Sequence, residues 1–331
     1  MIKFRTEVEI PRFAKKMGYR HQSLMIGSCF AENIGGILEE LCFPIKVNPF
    51  GILYNPVSIA NSLQILITGK KFTEKDLFYS NGLYNSFFHH SRFSDPDPVK
   101  ALEQINAQTD EASAILKNCH HLFITFGTSW VFKHKISGMI VSNCHKLPSA
   151  NFDRYRLSIS QITENWILLI NEMRSLNPNL HLVFTISPIR HLKDGAHENQ
   201  LSKSTLLLAV DELISFYGTD VISYFPSYEL MLDELRDYRF YAGDMSHPSE
   251  VAIGFMREKF IASILDKEAI TVSAELEKIV PALKHKKLND NDENYNSFIE
   301  TQVEKTNQLQ IKYPFVNLEK MIKKFHKKRA D

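Results

Sequence analysis

Ser23-Leu24-Met25-Ile26-Gly27-Ser28-Cys29-Phe30-Ala31-Glu32-Asn33-Ile34 is the stretch from which the rest of the chain can be read. A short apolar run stops at a glycine, and apolar residues then recur at Ile34, Ile37, Leu38 and Leu41, the rhythm of one helix face. The expectation is a strand, a tight turn and a helix. Cys42-Phe43-Pro44 should end that helix, because proline disfavours helical geometry in its predecessor. Ile45-Lys46-Val47 reads as the next extended piece and Asn48-Pro49-Phe50-Gly51 as a loop. Pro56 to Leu66 reads as a second helix with proline in its first turn.

Farther on, His121 to Gly127 and His181 to Pro188 have the continuous hydrophobicity of strands covered on both faces, and Val221 to Pro226 is a third such run. Helical patterns lie between them, including Ile159 to Ser175 and Ser202 to Tyr217. This alternation predicts a central parallel sheet with helices on both faces. Residues 70–118 and 128–158 break the repeat and read as long loop insertions, which in such sheets gather near the carboxyl ends of strands and shape a pocket.

From Glu275 onward the chain turns polar. Between Lys305 and Asp331, seven Lys and one Arg face Glu319 and Asp331, eight minus two, a local +6. That reads as a solvated helical extension, with docking onto an anionic partner as the alternative. The predicted division is a core domain over 1–270 and a charged, mostly helical extension over 271–331.

With 331 residues, 44% hydrophobic and 23% charged, the chain can bury roughly three quarters of its unfolded surface. Thirty-nine basic against thirty-eight acidic residues give a net charge of +1, so no nucleic-acid partner is expected. No apolar run approaches the ~20 residues that span a bilayer, and no membrane partner is expected. Residues 1–9 are interspersed with charge and lack the apolar segment of a secretory signal, which points to the cytoplasm. Cys29, Cys42, Cys119 and Cys144 are too few and scattered for a disulfide framework and read as free thiols.

Chemistry is concentrated in two places. Ser28 stands where a strand meets a helix, and amides of a first helical turn favour negative charge there, so an attacking serine would find oxyanion donors beside it. A plain N-cap is the alternative role for Ser28. A hydroxyl needs a base, and Tyr241-Ala242-Gly243-Asp244-Met245-Ser246-His247-Pro248 sets a carboxylate three residues before an imidazole, ahead of a helix from Glu250 to Ile264. Asp244 on one ring nitrogen of His247 would fix the tautomer and leave the other nitrogen to act on Ser28. Cys29 raises a rival thiolate, yet one residue along a helix turns a side chain by about 100°, away from the site if Ser28 faces it.

The motifs Gly27-Ser28-Cys29-Phe30-Ala31, Asn48-Pro49-Phe50-Gly51, Phe126-Gly127-Thr128-Ser129-Trp130, Asn143-Cys144-His145-Lys146, Ser187-Pro188-Ile189-Arg190-His191 and Asp244-Met245-Ser246-His247 give the chain a resemblance. It resembles the GSCFA family, a branch of the SGNH/GDSL hydrolases. The resemblance implies a flavodoxin-like three-layer α/β/α sandwich, with Ser28 as nucleophile, His247 as base and then acid, and Asp244 as its orienter. It implies the Gly51 amide as a second oxyanion donor. The superfamily's third donor, an asparagine after the third strand, is replaced here by Ser129, with Asn143 or Asn199 as candidates to reach in from a loop. The superfamily's Asp between Gly and Ser is also absent.

Arg190 is a candidate contact for an acyl carboxylate or sugar oxygen, and His191 for a hydroxyl. For His191, as for His145, a hydrogen-bonded loop histidine is the alternative reading. Trp130, Phe87 and Phe88 either line the same pocket or belong to the core. His145 and His191, with His89 or His90, match no zinc spacing, so no metal and no cofactor are expected. The expected activity is hydrolysis of an acyl ester of a small or carbohydrate-like alcohol through an acyl-enzyme. An O-acyltransferase and an SGNH-fold binding module without useful turnover are the alternatives.

Overall fold

The computed structural model describes residues 5–285, 287 and 293–330. The readings made on residues 1–4 and on Asp331 lie outside them. β1 (Ser23–Gly27) leads into α1 (Cys29–Glu40), followed by β2 (Ile45–Val47) and α2 (Pro56–Thr68). A short hairpin, β3 (Phe78–Ser80) and β4 (Leu83–Asn85), precedes α3 (Pro98–Leu116) and β5 (His121–Phe126). A second hairpin, β6 (Trp130–His134) and β7 (Phe152–Arg156), precedes α4 (Ile159–Leu176), β8 (His181–Ile186), α5 (Ala196–Tyr217) and β9 (Ile222–Phe225). After the single turn α6 (Ser227–Glu229) come α7 (Glu250–Ile264), α8 (Lys267–Leu276), α9 (Glu293–Lys312) and α10 (Glu319–Ala330).

The central sheet has the order β2-β1-β5-β8-β9 with every pair parallel. Successive strand side chains point to opposite faces, and the strands sort their apolar residues accordingly. Leu24, Ile26, Leu122, Ile124, Leu182, Phe184 and Ile222 enter one core, filled from α2, α3, α4 and α5 by residues such as Leu63, Ile105, Trp166 and Leu206. Met25, Phe123, Val183 and Phe225 enter the other, with Phe30, Ile34 and Leu38 of α1 and Met256 and Phe260 of α7. Two cores divided by one sheet make a three-layer α/β/α sandwich.

The C-terminal helices belong to the second core. Tyr295, Ile299, Val316, Leu318, Met321 and Phe325 are buried in the same cluster as α1 and α7, while Lys323, Lys324 and Lys327 remain exposed. Full burial of side chains such as Met321 and Phe325 stabilises by about 1.5–3 kcal/mol each, so the basic tail is fastened by its apolar side. The helical extension expected from the sequence is present, with its basic face exposed and its apolar side packed on the second core.

The two segments read as insertions carry regular structure. Residues 70–118 contain α3, capped by Asp97 and started by Pro98; its buried side includes Ala101, Thr109, Ala112 and Ser113, small residues that pack closely but give a weak apolar signal. Residues 128–158 contain the β6–β7 hairpin, which follows β5 directly and pairs Trp130 with Arg156. α5 begins at Ala196 and not at Ser202. No helix among the described residues is long and apolar enough to cross a membrane.

Candidate active site

β1 lies between β2 and β5, so the chain leaves it toward opposite sides of the sheet, and a crevice forms at the carboxyl ends of the strands at that reversal. A cleft of about 660 Å³ opens there. Cys29 contributes from the first turn of α1, Tyr54 and Asn55 from the segment after β2, and Thr128 and Trp130 from the segment after β5. Arg190, His191, Lys193 and Asp194 contribute from the segment after β8, and Asp244 and His247 from the turn before α7.

The turn into α1 is built around Gly27, whose φ of +142° is closed to other residues; a Cβ there would lie 2.3 Å from the Thr125 carbonyl oxygen. Its N–H donates to Asn48 Oδ1 at 2.8 Å. Asn48 is fully buried, donates its Nδ2 to Glu32 Oε2 at 2.7 Å, and sits at φ +43°, a conformation asparagine tolerates. Glu32 in turn accepts from Arg92 Nη1 at 2.8 Å. Sequence reasoning passed over Asn48 as loop; an asparagine opening Asn-Pro after a strand was the available signal.

Ser28 is the N-cap of α1. Its Oγ accepts from the Phe30 N–H at 3.3 Å, the residue is 1% exposed, and it is not among the residues lining the cleft. In this arrangement the capping role holds the Ser28 hydroxyl against its own helix. The next residue, about 100° farther round, presents its side chain to the cleft instead. Cys29 Sγ lies 3.8 Å from the Tyr54 hydroxyl. Burial foremost, with the neighbouring thiol, pushes the Tyr54 phenol well above its ordinary range, so it stays protonated.

Asp244 and His247 are together as expected. His247 Nδ1 is 2.5 Å from Asp244 Oδ2, while Asp244 Oδ1 accepts the His247 and Ser246 N–H groups at 2.9 and 3.0 Å. Those two amides, and then the imidazole, hold the Asp244 carboxyl down to about 2. The turn is closed by Ala242 N–H to the His247 carbonyl at 2.7 Å, and both side chains are about half exposed at the cleft rim. With Nδ1 committed, Nε2 is the nitrogen left for chemistry.

The expected oxyanion donors fare differently. Gly51, at φ +79° with His90 packed where a Cβ would go, donates its N–H to the Asn48 carbonyl at 2.8 Å; Ile52 lines the cleft in its place. Ser129 is fully buried, with its N–H and Oγ both on Ser202 Oγ at 2.8 and 3.0 Å, and does not line the cleft. Each of these groups already has a hydrogen-bond partner inside the protein. Asn143 does line the cleft; its Oδ1 accepts from His145 N–H at 2.8 Å, which leaves the NH2 end to donate. Asn199 lies on α5, accepts the His191 N–H at 2.9 Å and does not line the cleft.

Arg190 and His191 both line the cleft. The Arg190 guanidinium lies over the Tyr241 ring at 5.1 Å, and His191 meets the Tyr54 ring edge-on at 5.7 Å. Burial, then the Lys203 charge, pushes His191 down to about 4. Arg154 forks onto Asp194 and stacks over Trp130 at 4.3 Å. Arg190 and Lys193 form no ion pair among the described residues. Trp130 Nε1, Arg154 Nε, Arg190 Nε and His191 Nε2 are buried without a hydrogen-bond partner. Phe87 and Phe88 do not line the cleft; Phe87 stacks on Phe78 at 4.2 Å.

Lys203, unremarked in the sequence, is fully buried beneath the cleft and donates to the carbonyls of Gly127 and Ser187 at 2.7 Å each, tying the ends of β5 and β8 together. Burial pushes it down to about 7. Among the described residues, no group of three or more His, Cys, Asp or Glu could hold a metal ion. His145 and His89 instead bond to the Ser86 carbonyl and hydroxyl, at 2.8 and 2.9 Å.

The fold and site define a three-layer α/β protein with a histidine–aspartate pair and a helix N-terminus on one cleft at the carboxyl edge of its sheet. The chain belongs to the GSCFA family, whose match spans residues 22–260, and residues 276–330 match the GSCFA domain protein C-terminal domain. No curated protein matches. Among solved structures the chain is similar to an acetyl xylan esterase from the rumen bacterium Butyrivibrio proteoclasticus, at 12% identity and a TM-score of 0.33, over 77% of this chain and 64% of that one. The chain thus spans less than two thirds of that esterase's length.

Proposed function

We propose that the protein is an ester hydrolase working through an acyl-enzyme, in the manner of the SGNH hydrolases its motifs resemble. The observation that carries this reading is the opening of the Asp244–His247 pair and the first turn of α1 into one cleft. His247 Nε2 takes a proton from a nucleophile on that first turn, which attacks the ester carbonyl. The tetrahedral oxyanion rests against the first-turn amides and the Asn143 NH2. His247 returns the proton to the departing alkoxide, and then activates the water that releases the acid.

The substrate is an oxygen-rich ester bearing a negative charge. Three unpartnered buried N–H groups on cleft-lining side chains, those of Trp130, Arg154 and Arg190, are costly unless acceptor oxygens meet them, and Arg190 brings an unpaired positive charge. Hydrolysis of p-nitrophenyl acetate against p-nitrophenyl hemisuccinate tests both parts. Turnover of both is expected, faster on the hemisuccinate, with Arg190→Ala removing that preference. A folded protein that turns over neither ester, nor acetylated or succinylated oligosaccharides, is a binding module and the reading fails.

A further inference from the structure

We propose that the nucleophile is the thiol of Cys29 and that Ser28 serves as the cap of the helix that presents it. The inference rests on the acyl-enzyme reading and assigns its attacking atom. Cys29 lines the cleft together with Asp244 and His247, whereas Ser28 does not. The Ser28 hydroxyl accepts from the Phe30 amide at 3.3 Å and the residue is 1% exposed, which sets it behind Cys29 relative to the cleft.

Position adds to the case. As the first residue of α1, Cys29 sits at the N-terminal end of the helix, beside the Phe30 amide that Ser28 caps. The Tyr54 hydroxyl, kept protonated, lies 3.8 Å from Sγ on the same cleft. Asn48 and Gly27 fix the turn that aims the thiol, through the 2.8 Å bond from the Gly27 amide.

The step balances with no outside reagent. His247 Nε2 accepts the Sγ proton, a C–S bond forms at the ester carbonyl, the C–O bond to the alcohol breaks, and the imidazolium proton leaves with the alcohol. Water then attacks the thioester, giving its proton to His247. The C–S bond breaks and that proton returns to the thiolate.

The test uses the whole chain and p-nitrophenyl acetate, with turnover measured and acid-quenched protein mapped by peptide mass spectrometry. Glycine is tolerated at N-caps, so Ser28→Gly removes the hydroxyl without unfolding α1. The expected results are an acetyl group on the Cys29 peptide that neutral hydroxylamine releases, and a loss of at least about 10³-fold in kcat for Cys29→Ala with its circular dichroism unchanged. Ser28→Gly should keep turnover within a few-fold. Acetyl on Ser28, or turnover retained in Cys29→Ala and lost in folded Ser28→Gly, overturns the assignment and leaves the acyl-enzyme reading standing. Undiminished turnover in His247→Ala removes the acyl-enzyme reading itself, and the assignment with it.

Discussion

The hydroxyl of Ser28 turns back onto the Phe30 amide while the thiol of Cys29, the next residue, opens into the cleft that also holds His247. The two side chains are divided by the boundary of α1: one belongs to the cap and the other to the first turn.

The Asp244–His247 pair should behave as a unit. Removal of a general acid–base group costs about 10²–10⁴-fold in rate, so His247→Ala should fall in that range, with Asp244→Asn losing somewhat less because the imidazole remains. Because its two amide donors and the imidazole hold Asp244 down to about 2, the carboxylate stays ionised through pH 4. A pH–rate profile of the wild type should show no loss of activity that tracks an ordinary carboxyl between pH 4 and 5.

Asn143 should act on the transition state. Losing one oxyanion donor costs about 10²–10³-fold in kcat, so Asn143→Ala should lower kcat by about 10²-fold with KM little changed. Steady-state kinetics separate this from a binding role, which would raise KM and leave kcat alone.

Stability should fall on mild acidification. Burial holds His89 and His121 neutral, pushed down to about 3 and 4, against about 6.5 in an unfolded chain. Between about pH 6.5 and 3 the unfolded chain therefore binds protons at these two positions that the folded chain does not, and their contribution to stability declines as pH drops through that window. His89 stacks among Phe50, Phe72 and Phe93, so His89→Phe should fit and should flatten the dependence of Tm on pH, as thermal melts at pH 7 and 5 would record.

Lys203 should matter for the floor of the cleft. Lys203→Met leaves the buried Gly127 and Ser187 carbonyls without their donor, a cost of about 1–3 kcal/mol for each group orphaned. Urea unfolding should show the loss. The lysine's pKa near 7 adds a second signature: between pH 7 and 10 the unfolded chain binds a proton the folded one lacks, so wild-type stability rises with pH there and the variant's does not.

Much of the fold was legible in the sequence because its strands are buried on both faces and read as continuous apolar runs: β1, β5 and β8 lie where Ser23–Gly27, His121–Gly127 and His181–Pro188 suggested. α3 was not legible, since alanine, serine and threonine on its buried side carry little hydropathy. The Asp244–His247 pair could be read because its geometry is local, three residues within one turn. The facing of Ser28 and Cys29, and the commitments of Gly51 and Ser129, depend on partners such as Asn48 and Ser202 that come from distant segments, and no local pattern announces them.

The most direct measurement is a pre-steady-state assay with p-nitrophenyl acetate on the wild type and on His247→Ala. A covalent route through the cleft predicts a burst of up to one p-nitrophenolate per chain before slower turnover, with the rate of that burst falling by about 10²–10⁴-fold in the variant. A burst of the same size and rate in His247→Ala, or release of p-nitrophenolate no faster than in buffer by the folded wild type, would contradict it.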